Sequence, residues 1–86
     1  MFFAIGNLPA QNVTLDVQQT SIKTILREIQ SQTTYRFVYN DALVEMEAII
    51  SLAVKDEPLE SVLKKMFDGR GISYEMKDNQ IILFPG

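Results

Sequence analysis

The side chains in this sequence that could take part in chemistry are mainly carboxylates. Asp41, Glu45 and Glu47 lie close together within residues 40–48, and carboxylate oxygens are the ligands that calcium and magnesium prefer. Their spacing matches no ligand loop, and the segment contains no glycine for the sharp turn of such a loop. We therefore expect a solvated acidic loop and no metal.

Two further groups also have a structural explanation. Asp56, Glu57 and Glu60 lie where a helix is predicted to begin, and the positive end of a helix dipole favours carboxylates. Residues 69–71, Gly-Arg-Gly, predict a turn, because the strand-to-helix context of a phosphate loop is missing. Neither group predicts a catalytic pair or a cofactor site.

The composition excludes several classes of function. The 86 residues include no His and no Cys, which excludes imidazole and thiolate zinc sites, Ser–His and Cys catalysis, and disulfides. The net charge is −3, whereas nucleic-acid binders carry a basic patch. No run of about 20 apolar residues is present, so we expect no direct insertion into a membrane. Four aromatic side chains could stack on bases, but they alternate with the core pattern and predict core packing: Tyr35, Phe37, Tyr39 and Tyr74.

An internal repeat predicts the elements that position these residues. Shifting the sequence along itself until Val13 falls on Ile50 places every core-patterned position on an apolar one, which indicates a repeated supersecondary unit. Each copy alternates apolar and polar residues, then shows a helical stripe, then alternates again. The sequence therefore predicts an α+β fold of two pseudo-symmetric βαβ units, β-α-β and β-α-β-β, with helices layered against small sheets.

The boundaries of these elements follow from local signals. Thr20 is the expected N-cap of the first helix, and Pro58 the expected first residue of the second. Gly69 and Gly71 supply the positive φ angles that end the second helix. The predicted helices cover residues 21–33 and 58–68, and the predicted strands cover residues 13–18, 35–40, 50–55, 72–77 and 81–84, with a hairpin turn at 77–80.

Three apolar residues break the pattern of polar outward positions. Val38, Ile82 and Phe84 lie on the strand faces opposite the core-facing side chains. One explanation is an exposed patch, which would mark an interaction site; the other is a central last strand that is buried on both faces. We predict that a partner binds at a strand edge and the outward residues beside it, namely Arg36, Val38, Asn40, Ile82 and Phe84.

The two ends of the chain are predicted to lie outside the folded domain at 13–84. Residues 1–12 are mostly apolar and short, which is typical of a flexible arm or of a signal-peptide remnant with Ala10 as its last residue before cleavage. Residues 85–86, Pro-Gly, are typical of the start of a linker.

The order and spacing of the chain resemble a known family. Residues 13–18, 21–29 and 35–40 in the first half, and 54–63, 71–76 and 79–82 in the second, resemble the secretin and TonB N-terminus (STN) domain. Within this family, the sequence resembles the domain found in Bacteroidetes-type TonB-dependent outer-membrane receptors. Thr34 departs from the family, which often has a glycine before the aromatic strand, so the resemblance does not predict the geometry of that turn.

The resemblance implies a fold in which two helices lie side by side between two small sheets. It also implies a non-enzymatic signalling domain at the periplasmic face of the outer membrane of a Gram-negative bacterium. There it would precede the plug and barrel of its receptor chain and relay substrate occupancy to the periplasmic domain of an inner-membrane anti-sigma regulator. The alternative is a secretin-type or regulator-borne copy that acts as an assembly module. A standalone enzyme or ligand-binding domain is disfavoured, because no acid/base or nucleophile constellation is visible.

Overall fold

The computed structural model describes residues 11–86. Most of the predicted arm lies outside the described residues, although Asn12 already belongs to the first strand. The predicted order of elements is confirmed: β1 (Asn12–Ser21), α1 (Ile22–Gln32), β2 (Arg36–Val38), β3 (Ile49–Pro58), α2 (Leu59–Phe67), β4 (Ile72–Lys77) and β5 (Gln80–Pro85).

The strands form two small sheets, each of which combines both repeats. β1 and β3 pair antiparallel in a two-stranded sheet. The second sheet has the order β2-β5-β4, in which β5 runs parallel to β2 and antiparallel to β4. Each sheet therefore has one edge strand from the first repeat and one from the second.

The helices lie between these sheets and bury one stripe each. In α1 the buried residues are spaced as one helical face, and α2 repeats the pattern. The helical stripes pack with side chains of β1, β3 and β5 in one core, whose fully buried members include Ile25, Ile29, Val62, Leu63 and Ile81. The predicted α+β architecture is confirmed.

The start of α1 differs by one residue from the prediction. Ser21, not Thr20, is the N-cap, and its Oγ accepts a hydrogen bond of 3.2 Å from the Thr24 N–H. The register of β1 shifts between Val17 and Thr20, and Gln19 has a φ of 47°. This irregularity carries the strand on to Ser21, while the Thr20 hydroxyl donates to the Gln18 carbonyl instead.

The start of α2 also differs. Pro58, the predicted first helical residue, is the N-cap, with φ −56° and ψ 139°, and it provides no side-chain cap. At the other end, Gly69 and Gly71 have φ angles of 76° and 72°, as predicted. Arg70 donates through Nε to the Met66 carbonyl at 2.9 Å, so the Gly-Arg-Gly turn closes the helix.

The first N–H of each helix donates to a carbonyl group of the other repeat. The Ile22 N–H at the start of α1 donates to the Ala48 carbonyl at 3.0 Å, and the Leu59 N–H at the start of α2 donates to the Gln11 carbonyl at 3.0 Å. The shift that reveals the repeat places Gln11 on Ala48 and Ile22 on Leu59. These reciprocal bonds satisfy helical donors that have no partner within their own helix.

The acidic loop at residues 40–48 contributes to the hydrophobic core, which its composition does not suggest. Val44 and Met46 are 5% and 2% exposed, so two of its side chains belong to the core. The Met46 carbonyl accepts a bond from the Lys23 N–H, while Glu45 accepts one from the Glu47 N–H. In residues 11–86 no three His, Cys, Asp or Glu side chains are placed to hold a metal ion together. That the loop binds no metal stays a prediction.

Candidate protein-binding surface

The outward side of the three-stranded sheet brings most of the predicted partner-binding residues together. Val38 on β2 lies opposite Ile82 on β5, which in turn lies opposite Glu75 on β4. Because side chains alternate along a strand, Arg36 and Phe84 share this face with them. We call this surface, built from Arg36, Val38, Ile82, Phe84 and their β4 neighbours, the outer sheet face.

The outer sheet face is apolar at its centre. Val38 is 43% exposed and Phe84 is 40% exposed, and Ile82 is partly buried. On the opposite side of the same strand, Ile81 and Leu83 are buried in the core. β5 is therefore the central strand of its sheet, as predicted by the explanation in which it is buried on both faces. Its outward side chains, Ile82 and Phe84, are nevertheless not fully buried.

Asn40 does not join this surface as a strand residue. The strand predicted for residues 35–40 ends at Val38. Asn40 instead forms a turn, in which its Oδ1 accepts a hydrogen bond of 2.8 Å from the Ala42 N–H and its carbonyl accepts from the Leu43 N–H. The asparagine side chain competes with strand pairing by bonding the backbone two residues ahead.

Charged side chains lie at one end of the outer sheet face. Arg36 pairs in register with Gln80, which pairs with Lys77 on the other side. The described residues form an ion pair between Lys65 and Glu57, and neither Arg36 nor Lys77 is paired within that part of the chain. The face therefore offers an apolar centre whose border carries these two cationic groups and the Glu75 carboxylate on β4.

The edge of β4 presents unpaired backbone groups. The Gly86 N–H donates to the Gly71 carbonyl at 3.1 Å, and the hairpin closes on the pair Lys77 and Gln80. In an antiparallel pair, alternate residues bond to the partner strand. The main-chain groups of Ile72, Tyr74 and Met76 consequently point away from β5, towards the open edge.

A groove runs beside this edge, between β4 and the C-terminal half of α2. Lys64, Phe67, Ile72 and Tyr74 are among the side chains that line it. Burial raises the pKa of the Tyr74 phenol, and the negative charge of Glu60 raises it further. The phenol thus stays protonated and able to donate a hydrogen bond well into the alkaline range.

The predicted acidic group before α2 has a structural role. The Glu57 carboxylate accepts hydrogen bonds from Lys65 at 2.7 Å and from the Ser61 hydroxyl at 2.8 Å. These bonds, with the Lys65 one the stronger cause, lower the pKa of Glu57 below its usual value of 4.5. Glu57 thus links the end of β3 to α2.

The predicted aromatic platform lies against the core. Tyr35, Phe37, Tyr39 and Tyr74 are partly buried and pack on the central cluster. The prediction of core packing for these four residues is confirmed. A surface for stacking bases would instead need them on the outer sheet face.

Comparison with known families decides what kind of domain carries this surface. The family described as "Secretin and TonB N terminus short domain" matches residues 35–86. The chain belongs to this STN family. The match runs from the residue before β2 to the last residue, and thus includes the whole three-stranded sheet with its outer face.

Two solved structures share the fold of this STN domain. The periplasmic signalling domain of the outer-membrane iron transporter PupA from Pseudomonas putida is 25% identical, with a TM-score of 0.67, covering 88% of this chain and 92% of that one. A putative anti-sigma factor from Parabacteroides distasonis is 21% identical, with a TM-score of 0.72. The alignment covers 84% of this chain but only 34% of the anti-sigma factor, so the STN domain spans about a third of that protein.

No curated protein sequence matches this STN domain. Of the two structural neighbours, the PupA domain is described as a periplasmic signalling domain. Within residues 11–86, neither helix is long and apolar enough to cross a membrane.

Proposed function

We propose that this STN domain is the periplasmic N-terminal signalling domain of a TonB-dependent outer-membrane receptor. In this role it binds the periplasmic domain of an inner-membrane anti-sigma regulator and relays the substrate occupancy of the plug and barrel to it. The likeness to the PupA domain supports the proposal, since that alignment covers 92% of the PupA domain. A periplasmic location at the outer membrane follows from the same proposal.

The observation that carries a binding role is the apolar centre of the outer sheet face. Val38 and Phe84 keep two fifths of their surface exposed beside the partly buried Ile82. Covering this surface gains about 25 cal/mol per Å² of apolar area, which a polar sheet face would not gain. Arg36 would orient the partner by its charge, and Asn40 would contact it from the adjoining turn.

The open edge of β4 adds a second means of attachment. The outward main-chain groups of Tyr74 and Met76 accept an extended segment of the regulator as an added strand, while side chains beside the edge supply specificity. Binding through the face and the edge together would give the relay a defined orientation.

The test compares two exposed aliphatic residues on different sheets. Val38→Ser should weaken binding of a purified periplasmic fragment of an anti-sigma regulator by about tenfold, the equivalent of about 1.4 kcal/mol. Ile49 is 60% exposed and lies on β3 of the other sheet, so Ile49→Ser is the matched control and should bind as the unmodified domain does. Equal affinities of all three proteins by isothermal titration calorimetry would refute the assignment of this face.

A second candidate function is a regulator-borne copy of the domain. The structural likeness to a putative anti-sigma factor favours it, because the shared fold makes up 34% of that protein's chain. The reading frame that follows residue 86 in the gene distinguishes the two. A plug and barrel would support the receptor, and a different downstream domain would support the regulator.

A further inference from the structure

Two glutamines of α1 take the place of neighbouring strands at the edges of the first repeat. The Gln32 side chain makes two bonds with the backbone of Thr14 on β1: its Oε1 accepts from the N–H at 2.9 Å, and its Nε2 donates to the carbonyl at 2.8 Å. An adjacent strand would make this same pair of bonds. The side-chain amide thus occupies the pairing position on β1.

Gln30 makes one such bond, to the N–H of Phe37 on β2. The Arg36 N–H of this strand points towards β5 and donates to the Asn79 carbonyl at 2.9 Å. Phe37, the next residue, directs its backbone the other way, and its N–H donates to Oε1 of Gln30 at 2.8 Å. The donor that an incoming strand would need is therefore already bonded.

The second repeat lacks this feature. The shift that reveals the repeat places Gln30 on Phe67 and Gln32 on Gly69. Phe67 is 3% exposed and belongs to the core, and glycine has no side chain to donate or accept. In the part of the chain that the structure describes, no side-chain amide bonds to the outer edge of β3 or β4. Within the described residues, each sheet therefore has one edge at which a glutamine of α1 already bonds a backbone group, and one edge at which no side-chain amide does so.

This asymmetry determines how copies of the domain can assemble. β2 and β4 are the two edges of one sheet. If both were open, the β4 edge of one copy could pair with the β2 edge of the next. Such head-to-tail contacts do not close on themselves, and they produce filaments. One closed edge per sheet stops that growth.

We propose that Gln30 and Gln32 close the strand edges of the first repeat and thereby prevent head-to-tail polymerisation with further copies of this chain. Strand pairing with other chains is left to the second repeat. This inference concerns the domain alone and does not depend on the identity of its regulator.

The experiment compares Gln30→Leu with Gln30→Glu. Leucine removes the acceptor of the Phe37 N–H, whereas glutamate keeps one. By sedimentation velocity over a hundredfold range of concentration, Gln30→Leu should form species larger than dimers, and adding Gln32→Leu should increase them. Gln30→Glu should sediment as the unmodified domain does.

A second substitution tests the head-to-tail geometry. The Met76 N–H faces the open edge of β4, so proline there removes an outward donor without removing a bond to β5. Gln30→Leu combined with Met76→Pro should lose the large species, whereas Gln30→Leu combined with Met76→Ala should keep them. Amide exchange at Phe37 should slow on assembly of Gln30→Leu.

Three results would overturn the proposal. The first is a folded Gln30→Leu domain, verified by near-UV circular dichroism, that sediments as the unmodified domain does. The second is assembly that Met76→Pro leaves unchanged, since association would then not use the β4 edge. The third is an equal tendency to assemble in Gln30→Glu. If Gln30→Leu does not fold, Gln30→Ala provides the same comparison.

Discussion

Neighbouring isoleucines on β5 should separate stability from binding. Ile81 is 0% exposed and faces the core, while Ile82 faces outward on the outer sheet face. Alanine at each position removes the same three carbon atoms from the same strand. We expect Ile81→Ala to destabilise the domain strongly without altering the binding surface, and Ile82→Ala to weaken binding with a smaller loss of stability.

The two costs follow from burial. Removing three buried carbons loses about 2.4 kcal/mol of transfer free energy at about 0.8 kcal/mol each, and a cavity brings the total for Ile81→Ala to about 3 kcal/mol. For a domain of this size that corresponds to a fall in Tm of about 12–24 °C. The partly buried Ile82 loses about 1 kcal/mol, a fall of about 4–8 °C.

The assay pairs thermal unfolding with binding. Circular dichroism gives Tm, and calorimetry at 10 °C, where we expect both variants to remain folded, gives the affinity for the regulator fragment. Ile82→Ala should bind several-fold more weakly, and Ile81→Ala should bind as before. Equal losses of stability at the two positions would mean that the outer sheet face is covered and not free for a partner, which would refute the argument.

Two further predictions concern helix ends and pH. Ser21→Ala should lower the free energy of unfolding by about 1 kcal/mol, because the Thr24 N–H loses its cap; chemical denaturation measures this, and Thr20→Ala is the control expected to cost less. Since the folded-state pKa of Glu57 is lowered, its stabilising effect is complete at pH values above 4.5 and is lost as the pH falls through the lowered pKa. Glu57→Gln should therefore lower Tm at pH 7 and cost progressively less as the pH falls below 4.5, and a loss of Tm that does not change with pH would contradict the role of the charge.

The sequence was sufficient to predict the elements whose periodicity is strong. Both helices and all five strands follow from apolar spacing, because the core selects one face of each element and repeats the selection in the second half. Offsets of one residue at Thr20 and Pro58 reflect local backbone irregularity, such as the positive φ of Gln19. Periodicity does not record such details.

Other features leave no periodic signal. Val44 and Met46 enter the core from an irregular loop, so no pattern distinguishes them from solvated neighbours. Gln30 and Gln32 lie on the polar side of α1, where glutamine is an ordinary surface residue; only the three-dimensional position of the β1 and β2 edges makes them distinctive. Alternation that continues past Val38 predicts a strand residue at Asn40, whereas its side chain favours the turn that the structure contains.

The reciprocal bonds between helix starts and the opposite repeat bear on how the chain folds during synthesis. The first donor of α1 needs the Ala48 carbonyl, and the long edge of β1 needs β3, so the first repeat cannot be completed when it leaves the ribosome. Neither half is a separate folding unit, even though each has the full pattern of one. The two halves should therefore fold and unfold together in a single cooperative step. During synthesis, we expect that step to occur once β3 and the Ala48 carbonyl have left the ribosome.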